Sequence, residues 1–554
     1  MKAFEEPAVL FRVIDPRFGP NNIYRHQAKE TASLGPIFIA SAVRKYLPWE
    51  AEIILENNCR VNLGCPMTED NLPDHDLLQR ERRAEFVGIS ASMTNAVPRA
   101  LEIIQLYRSM PEELRPKAII VGGWHAGDSP EEFLEAGADV VVHGEGDMVI
   151  APLLNALKQN RTLEDIPGIS YWLNGQIKRN GPEFLAVPQE QMDNLPLPDF
   201  NLVRFAKIVI YPIGRTRGCS GKCRFCRVRS IPRSISPGRF LEQIKVLVSR
   251  GAKYFFIVDD RSEEDLEGFR QWLIGLINFR EERKTRNLYF TSQNRLSLAE
   301  HPDVLSLMWE AGIRTVAIGF ESPIPEELKA MKKPITTKLD QLLQWSQTFK
   351  DIGLYIHMML ILGYPMPPGA NRVLNDQGKP MSIKERSHKF WQFIKKVNPA
   401  TLQVLLYTPI LGTPDWKLLE EQGRIDKEIG WEKYDGTWLT FKPDEGIDPQ
   451  ELQGEMIRLM QRFYSFPLIW KSGWTSVILH LIKIGVVTIA MPFVWVFNLP
   501  FKKWQLKTAW ELPRRLKRNA KRRFLGYLIV LDWLESFKHS GFDAVLRRLA
   551  RVKD

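Results

Sequence analysis

Three cysteines lie close together in Gly218-Cys219-Ser220-Gly221-Lys222-Cys223-Arg224-Phe225-Cys226. Spacings of four and three residues let the thiolates of Cys219, Cys223 and Cys226 converge from one tight loop, and the two glycines let that loop fold around a compact inorganic core. Thiolates are the usual ligands of iron–sulfur clusters. Three of them on a four-iron cluster would leave one iron without a protein ligand, open to a substrate or cofactor.

Zinc is the competing interpretation of the same loop. A structural zinc site needs four ligands, but no fourth Cys or His lies within fifty residues, the nearest histidines being His143 and His301. The chain has 5 Cys in all, which excludes a disulfide framework. Cys59 and Cys65 are too few for a second cluster and are interpreted as ordinary structural cysteines.

The elements before this loop alternate between short apolar runs and helical patterns. Such alternation predicts a doubly wound parallel sheet. The predicted strands are Ala8–Val13, Ala51–Leu55, Phe86–Ser90, Ala118–Val121 and Val140–Val142, and the predicted helices include Ile37–Tyr46, Val97–Ser109 and Pro130–Ala136.

Small and hydroxyl-bearing residues follow three of these strands. Ligands of doubly wound sheets bind beyond the carboxyl ends of the strands, where glycines let the backbone approach a bulky ligand and hydroxyls offer hydrogen bonds. The alternative is that each glycine only serves its turn. The candidate ligand-binding residues are Ser90, Ser92, Thr94, Gly122, Gly123, Gly144, Glu145 and Gly146.

A second series of strands begins near Ile208. Six strand–helix units over about 200 residues predict an open parallel barrel, with the cysteine loop at the end of its first strand. The predicted strands are Ile208–Ile213, Tyr254–Val258, Leu288–Thr291, Thr315–Gly319, Ile356–Leu362 and Thr401–Leu406.

The cysteine motif resembles the Cys-x3-Cys-x2-Cys signature of radical S-adenosylmethionine (radical SAM) enzymes, which carries an aromatic residue before the last cysteine. Further matches follow in the family's order along the barrel. They are Val258-Asp259-Asp260, Gln293-Asn294-Arg295, Ile318-Gly319-Phe320-Glu321-Ser322, Leu360-Ile361-Leu362-Gly363-Tyr364-Pro365 and Thr408-Pro409-Ile410-Leu411-Gly412-Thr413-Pro414.

The first 200 residues resemble the cobalamin-binding domain that precedes the barrel in one subgroup of that family. The resemblance implies a cobalamin-binding Rossmann-like domain over residues 1–160, a connector over 161–205, a radical SAM partial barrel over 206–430 and a C-terminal subgroup segment over 431–470. The Asp-x-His-x-x-Gly motif that supplies a cobalt ligand is absent. Many of the subgroup also lack it, so the resemblance implies a cobalt without a protein histidine.

The resemblance also implies three cofactors: a 4Fe-4S cluster, S-adenosylmethionine and cobalamin. The three cysteines would hold the cluster, whose unique iron would chelate S-adenosylmethionine for cleavage to a 5′-deoxyadenosyl radical. Around S-adenosylmethionine, Asp259 or Asp260 would meet its amino group, Arg295 its carboxylate and Glu321 its ribose or amino group, with Ser322 and Gly363 lining the same site. Each carboxylate has a solvated-loop alternative, and no residue is singled out as catalytic. The implied electron donor is a protein such as flavodoxin or ferredoxin.

The chain's positive charge belongs to its last segment. Residues 471–554 contain 17 Lys and Arg against 5 Asp and Glu, a net charge of +12 in a chain whose total is +11. The same segment holds an apolar stretch at 477–499, long enough to cross a bilayer but interrupted by Lys483 and Pro492. Basic clusters beside apolar, Trp-bearing segments indicate in-plane attachment to an anionic membrane surface. The alternatives are a helical cap with a solvated basic face and, less in keeping with the apolar stretch, nucleic-acid binding.

The first residues lack a signal-peptide pattern, which predicts a cytoplasmic enzyme. The basic and apolar last segment predicts that this enzyme is peripherally associated with the inner face of the membrane. The expected reaction is methylation of an unactivated carbon in an apolar substrate, a lipid or isoprenoid. The enzymatic alternative is an anaerobic cyclase acting on a tetrapyrrole, which shares the architecture. The non-enzymatic alternative is a zinc-bearing nucleic-acid-binding protein.

Overall fold

The computed structural model describes most of residues 9–465 and part of a helix near the C-terminus. The described residues are 9–19, 22–228, 230–283, 285, 287–335, 338–370, 373–465, 522, 523, 526, 528–531, 533 and 534.

A seven-stranded sheet occupies residues 10–180, with strand order β2-β1-β3-β4-β5-β6-β7. Strands β1 to β5 are parallel, which confirms the predicted doubly wound sheet. The strands are β1 Leu10–Asp15, β2 Glu50–Leu55, β3 Phe86–Ser90, β4 Ala118–Gly122, β5 Val140–Val142, β6 Ile169–Leu173 and β7 Gln176–Asn180.

Helices cover both faces of this sheet, so its parallel strands are buried on both sides and appear as nearly continuous apolar runs. Each crossover helix returns the chain to the edge of the sheet where the strands begin. The carboxyl ends of all five parallel strands therefore lie at the same, opposite edge. The helices are α1 Arg25–Ala28, α2 Leu34–Tyr46, α3 His75–Glu81, α4 Val97–Ser109, α5 Trp124–Asp128, α6 Pro130–Glu135 and α7 Ile150–Lys158.

Strands β6 and β7 come from the segment predicted to be a connector. They form an antiparallel hairpin on the edge strand β5. The two residues between them, Asn174 and Gly175, have φ angles of 51° and 77°. An Asn-Gly pair with both φ positive is the preferred two-residue hairpin turn. The first sheet therefore extends through a local turn signal that the strand–helix interpretation overlooked.

A six-stranded parallel sheet follows, with order β15-β14-β13-β12-β11-β8. Its two ends, β8 and β15, are edges in the described part of the chain, which confirms the predicted open barrel. The strands are β8 Ile210–Ile213, β11 Tyr254–Ile257, β12 Tyr289–Gln293, β13 Ile313–Glu321, β14 Tyr355–Leu362 and β15 Thr401–Leu406; the short pair β9 Thr216–Arg217 and β10 Arg233–Ser234 follows β8.

The barrel strands are joined by α8 to α13, and α14 and α15 lie beyond β15. These helices are α8 Pro237–Ser249, α9 Leu266–Glu282, α10 Pro302–Ala311, α11 Pro325–Ala330, α12 Leu339–Ile352, α13 Ile383–Val397, α14 Pro414–Glu421 and α15 Pro449–Phe463. The last of them packs on β15, where the Tyr464 hydroxyl bonds both the amide and the carbonyl of Leu402 at 2.9 and 2.8 Å.

The N-terminal domain reaches both edges of the open barrel. Thr31 pairs in parallel with Ile210 at the start of β8. At the other edge, the Gln403 amide of β15 donates to the Tyr24 hydroxyl at 2.7 Å. The segment between Tyr24 and Thr31 therefore contacts both β8 and β15.

Candidate functional site

The cysteine loop is a hairpin at the carboxyl end of β8. Its flanks β9 and β10 pair in antiparallel register, with Arg217 opposite Arg233. Further in, the Cys219 amide donates to the Ser230 carbonyl at 3.1 Å. Gly218 has φ 88°, and an added Cβ there would lie 2.7 Å from the Ser230 carbonyl oxygen, so this position needs glycine. The two flanks fix where the loop begins and ends.

Gly221 lies between two of the three cysteines. An added Cβ at Gly221 would be 3.3 Å from the Cys219 Sγ and 3.9 Å from the Cys223 Sγ. Burial raises the pKa of the Cys223 thiol and raises that of Cys226 to about 11, and the neighbouring cysteines add to both effects. Three thiols this close become good ligands when a metal takes the place of their protons. The loop therefore offers a glycine-lined cradle with three sulfur donors.

A single metal ion does not match the described side chains. Among the residues the structure describes, no group of three or more His, Cys, Asp and Glu side chains is close enough to share one ion. A zinc site would hold its sulfurs about 2.3 Å from one centre, whereas the irons of a cluster are separate and let their thiolates lie farther apart. The loop itself supplies three sulfur donors, one fewer than the four ligands of a structural zinc site.

Charged side chains surround the loop. The Arg295 guanidinium donates to the Cys219 Sγ at 3.6 Å, and its backbone amide donates to the Glu263 carboxylate at 2.9 Å. The Glu264 carboxylate accepts from the Ser220 amide at 2.8 Å. Sequence reasoning singled out Arg295 but missed both glutamates, although they lie in the acidic run that follows β11.

Asp259 and Asp260 support the backbone of the cysteine hairpin. The buried Asp259 Oδ1 accepts from the amides of Arg215 and Thr216 at 2.6 and 3.0 Å. Burial raises the pKa of Asp259 to about 6, against the lowering effect of those two hydrogen bonds. Asp260 accepts from the Gly218 amide at 3.1 Å and remains exposed. Of the two, Asp260 has the carboxylate better placed to reach a ligand.

Glu321 lies at an irregular point of β13. Its φ is 62°, and the pairing register of β13 against β14 shifts between Gly319 and Glu321. The Glu321 carboxylate pairs with the Lys333 ammonium at 2.6 Å. Lys333 acts electrostatically on the Cys223 thiol, so this ion pair adjoins the cysteine loop. An added Cβ at Gly319 would lie 2.2 Å from the Glu321 carboxylate. No motif in the sequence pointed to Lys333, which comes shortly after α11.

Two other predicted residues are committed to packing. The buried Ser322 hydroxyl donates to the Glu327 carboxylate and accepts from the Ile324 amide at 3.0 Å, which fixes the start of α11. Gly363 has φ 78°, and an added Cβ there would lie 2.7 Å from a Leu452 methyl group on α15. Ser322 and Gly363 therefore shape the neighbouring backbone in this structure.

A cavity of about 400 Å³ lies between the carboxyl ends of the two sheets. It brings together seven of the eight predicted ligand residues of the first domain and two of the six predicted in the barrel, while Arg295, Glu321, Ser322 and Gly363 do not line it. Those that line it are Ser90, Ser92, Gly122, Gly123, Gly144, Glu145, Gly146, Asp259 and Asp260. Gly218, which precedes the first cysteine of the loop, lines it as well. One cavity thus adjoins both the cysteine loop and the loops of the first domain.

The glycines of the first domain serve different purposes. Gly123 has φ 119°, and an added Cβ there would be 2.6 Å from the Ser92 amide. Gly144 has φ 82°, and its added Cβ would be 2.3 Å from the Leu185 carbonyl oxygen. Gly122 has more room, because the nearest atom to an added Cβ is 3.8 Å away on Val142. Gly122 therefore borders the cavity at a position where the turn itself does not require a glycine.

Thr94 is absent from the residues that line the cavity. Its hydroxyl bonds Nδ1 of the buried His125 at 3.1 Å. The other ring nitrogen of His125 lies 3.2 Å from the Glu132 carboxylate, and the ring packs against Trp431 with centroids 4.9 Å apart. This polar group joins the first domain to the segment after the barrel.

Sequence reasoning missed several residues of the cavity wall. Trp124 stacks on Phe184 of the predicted connector, with centroids 4.9 Å apart and planes 5° from parallel. Asp15, at the end of β1, does not line the cavity; it accepts from the Ser33 hydroxyl at 2.7 Å, and burial raises its pKa to about 6. The Trp–Phe pair joins residues 60 positions apart, which no local pattern indicates.

Two family models match the chain, each over part of one of its sheets. The model for the B12 binding domain matches residues 50–154, and the model for the radical SAM superfamily matches residues 213–370. The chain is a radical SAM enzyme with a B12-binding domain. Its cofactors are a 4Fe-4S cluster, S-adenosylmethionine and cobalamin, and the cysteine cradle and the cavity between the sheets fit these groups.

Curated relatives of this radical SAM enzyme include methyltransferases and a cyclase. An uncharacterized methyltransferase of Pyrococcus horikoshii is 26% identical over 362 residues, covering 63% of this chain and 72% of the relative. The anaerobic magnesium-protoporphyrin IX monomethyl ester cyclase of Rubrivivax gelatinosus is 25% identical, covering 69% and 66%. The hopanoid C-2 methylase of Rhodopseudomonas palustris is 26% identical, covering 42% of each chain. The chain thus spans less than two thirds of the length of two of these three.

Solved structures share the fold at low sequence identity. The cobalamin-dependent S-adenosylmethionine radical enzyme OxsB matches with a TM-score of 0.62 at 15% identity, covering 98% of this chain and 84% of that one. The radical S-adenosylmethionine methyltransferase TsrM of Kitasatospora setae matches with a TM-score of 0.58 at 16% identity, covering 75% and 78%. These two matches show the fold and nothing about the reaction.

The apolar stretch at 477–499 and most of the basic segment lie outside the described residues. Within the described part of the chain, no helix has both the length and the apolar character needed to span a bilayer.

Proposed function

We propose that this radical SAM enzyme transfers a methyl group to an unactivated carbon of an apolar substrate, a lipid or isoprenoid. The observation that carries the proposal is the single cavity that adjoins both the cysteine loop and the loops of the B12-binding domain. When bound, the cluster supplies one electron for reductive cleavage of S-adenosylmethionine, and cobalamin supplies a carrier for the methyl group.

In this proposal Cys219, Cys223 and Cys226 hold the cluster. Asp260, Arg295 and the Glu321 carboxylate with its Lys333 partner lie beside the cradle and are assigned to S-adenosylmethionine. Asp259 is assigned to the S-adenosylmethionine site indirectly, because its carboxylate supports the backbone of the cysteine hairpin. Cobalamin is assigned to the cavity beside Ser90, Ser92, Gly122, Gly123, Gly144, Glu145 and Gly146. Thr94, Ser322 and Gly363 are assigned a supporting role, since their contacts are to protein.

The apolar wall of the cavity supports an apolar substrate. Large apolar side chains from α2, α5 and the connector line this space, which favours a ligand with little polarity. They are Phe38, Ile39, Trp124, Phe184, Met192 and Leu195. The relatives named for hopanoid methylation and for protoporphyrin ring closure are consistent with large, mainly apolar substrates.

Product analysis tests the reaction. The anaerobically reduced enzyme should produce S-adenosylhomocysteine and 5′-deoxyadenosine together when given the apolar extract of its own host. Isotope-labelled methyl from S-adenosylmethionine should appear in one extracted lipid. Deoxyadenosine without S-adenosylhomocysteine, together with an unmethylated pigment product, would support the second candidate, an oxidative cyclase of a tetrapyrrole, which the cyclase relative favours. Lipid and pigment profiles of a deletion strain would identify the substrate.

The electron donor is proposed to be a small acidic one-electron carrier such as flavodoxin or ferredoxin. Lys222 in the cysteine loop, Lys329 on α11 and Lys332 on the turn after α11 are exposed. The turn touches the loop, because the Arg224 amide donates to the Met331 carbonyl at 2.9 Å. A positive surface beside the cluster would steer an acidic carrier to the shortest path for electron transfer.

The basic C-terminal segment is proposed to attach the enzyme to an anionic membrane at the cytoplasmic face. Its described residues within 522–534, named here the tail helix, are helical. Arg523 donates to the Asn398 side chain at 2.7 Å and to the Pro399 carbonyl at 2.8 Å, and burial lowers its pKa to about 10. Val530 and Trp533 are buried on the same side. These contacts support a docked tail helix.

The opposite side of the tail helix leaves aliphatic side chains in solvent. Leu528, Ile529 and Leu531 are 46%, 37% and 45% exposed. Exposed aliphatic side chains on one side of a helix favour insertion at the surface of a bilayer. The net charge of +12 in residues 471–554 favours an anionic bilayer. Arg522 lies over the Tyr355 ring at 4.0 Å, at the amino end of β14. The proposed membrane face is therefore at the end of the barrel opposite the cysteine loop.

Sedimentation with vesicles tests this attachment. The full chain should pellet with anionic vesicles and resist high salt in part, because charge attraction is screened and apolar insertion is not. The double change Leu528→Ser with Leu531→Ser should lower the salt-resistant fraction several-fold, since each lost leucine removes about 2 kcal/mol of burial. Ile274→Ser, at a site 44% exposed on α9, is the matched control and should pellet normally. Equal loss in both variants would contradict the proposed surface.

A further inference from the structure

Three two-pronged ion pairs join the cysteine hairpin to the B12-binding domain. Arg227, directly after the last cysteine, donates from Nε and Nη2 to the two carboxylate oxygens of Asp128, both at 2.6 Å. Asp128 ends α5, the helix that starts next to the Gly122-Gly123 turn. The first pair therefore links the cysteine side of the cavity to a turn on its opposite wall.

The other two pairs use the flanks of the hairpin. Arg217 donates to both oxygens of Asp147 at 2.8 and 2.9 Å. Arg233, opposite Arg217 in the β9–β10 pair, donates to both oxygens of Glu145 at 2.9 and 3.0 Å. Asp147 and Glu145 belong to the turn after β5. The start, the middle and the end of the cysteine loop are thus each bound to the first domain.

These pairs are sheltered from solvent. The Arg233 and Asp147 side chains are 7% and 5% exposed, and the other four are between 11% and 22% exposed. Asp147 has a lowered pKa: burial alone would raise it, but the charge and hydrogen bonds of Arg217 outweigh that effect. Charge-assisted pairs with two parallel hydrogen bonds fix orientation as well as distance. They are stronger constraints than exposed ion pairs would be.

Packing around the first pair holds it in place. The Arg227 guanidinium lies over the Trp124 ring at 4.9 Å, and Trp124 stacks on Phe184. Gly412, in the loop before α14, has φ 75°, and an added Cβ there would lie 2.4 Å from the Asp128 carboxylate. The backbone of the barrel's last loop therefore closes over the pair.

We infer that Arg217, Arg227 and Arg233 are positioning residues that fix the separation and orientation of the cluster and cobalamin. The pairs reach two separate places on the first domain, the end of α5 and the turn after β5, and so restrain both the distance and the rotation of the hairpin, whereas domains joined by a polar interface usually move. Reactions between held groups lose about a hundredfold in rate for a displacement near 1 Å. The inference rests on the proposed function for the assignment of the two cofactor sites.

The test compares the chain with its Arg217→Lys, Arg227→Lys and Arg233→Lys variants, each fully loaded with cofactors. Lysine keeps the charge but cannot make the two-pronged pair. Iron and corrinoid content should stay close to that of the unchanged chain. Pulsed electron paramagnetic resonance of the reduced cluster and cob(II)alamin should show a broadened or shifted distribution of their separation. Methyl transfer should fall about tenfold or more relative to 5′-deoxyadenosine formation, as expected for loss of alignment.

Two controls separate positioning from general damage. Arg424→Lys disrupts a comparable partly buried pair with Asp444, 2.9 Å apart, both members of which lie in the C-terminal part of the chain. It should leave the spin separation unchanged. Arg227→Lys combined with Asp128→Asn should be no worse than the more severe of the two single changes, because both remove the same interaction.

An unchanged spin separation in all three lysine variants would overturn the inference, as would an equal change in Arg424→Lys. The spin measurement does not depend on the reaction. If the enzyme proved to be a cyclase, a shifted separation would still support the positioning role while the proposed methyl transfer failed.

Discussion

Changing Cys219, Cys223 and Cys226 together to alanine is expected to reduce bound iron from about four per chain to near zero. The three thiols are the sulfur donors of the glycine-lined cradle, and a Cβ added at Gly221 would lie within 4 Å of two of them. Without its thiolates a cluster has no remaining attachment to the loop. Iron and sulfide assays on anaerobically reconstituted protein, with its visible absorption, measure the result.

The matched control for that variant is the double change Cys59→Ala with Cys65→Ala. Those two cysteines lie in the first domain, where the Cys65 backbone amide donates to the Arg60 carbonyl oxygen at 3.2 Å. Their replacement should leave iron, colour and cleavage of S-adenosylmethionine unchanged. Full iron in the triple variant would refute the assignment of the cluster to this loop. Iron loss in the double variant instead would move the assignment to the first domain.

The Gly122→Leu change is expected to lower corrinoid retention about tenfold or more, a loss of about 1.4 kcal/mol or more in binding free energy. Gly122 borders the cavity and the nearest atom to an added Cβ is 3.8 Å away, so the new side chain can be built without distorting the turn. It would instead take up space assigned to cobalamin. The absorption spectrum of bound corrinoid after gel filtration measures retention.

Gly123 is a poorer choice for that experiment. Its φ of 119° and the close Ser92 backbone mean that any side chain strains the turn itself, so lost binding there would not distinguish occlusion from misfolding. The better control is Gly238→Leu, at an exposed position with no atom within 4 Å of an added Cβ. Gly238→Leu should retain corrinoid fully. Normal retention in Gly122→Leu would place cobalamin away from this turn.

Much of the fold could be predicted because its signals are local. The strands Phe86–Ser90, Val140–Val142 and Thr401–Leu406 have the boundaries that their apolar runs predicted. Parallel strands buried on both faces are marked by such runs. The cysteine motif is likewise contained in eight residues, so its spacing alone predicted a three-thiolate loop.

The predicted roles of single residues were harder to derive. Ser322 and Thr94 carry hydroxyls at the right points of their motifs, yet their hydrogen bonds go to Glu327 and His125. Asp259 follows its strand as predicted, but its carboxylate supports the backbone of the cysteine hairpin. A residue type and its spacing determine what a side chain can do, whereas its partner depends on which backbone folds beside it.

By itself the sequence determined the two sheets, the cysteine loop and the segregation of positive charge into the last segment. The tertiary structure decided which groups meet across the cavity: Arg227 with Asp128, 99 positions away, and Arg217 with Asp147, 70 positions away. It also decided that Arg523 of the tail helix docks beside Asn398, 125 positions earlier. The physical reason is that helices, strands and metal-binding loops depend on neighbours a few residues apart. A pairing between one of many arginines and one of many carboxylates exists only after both backbones have been brought together by folding.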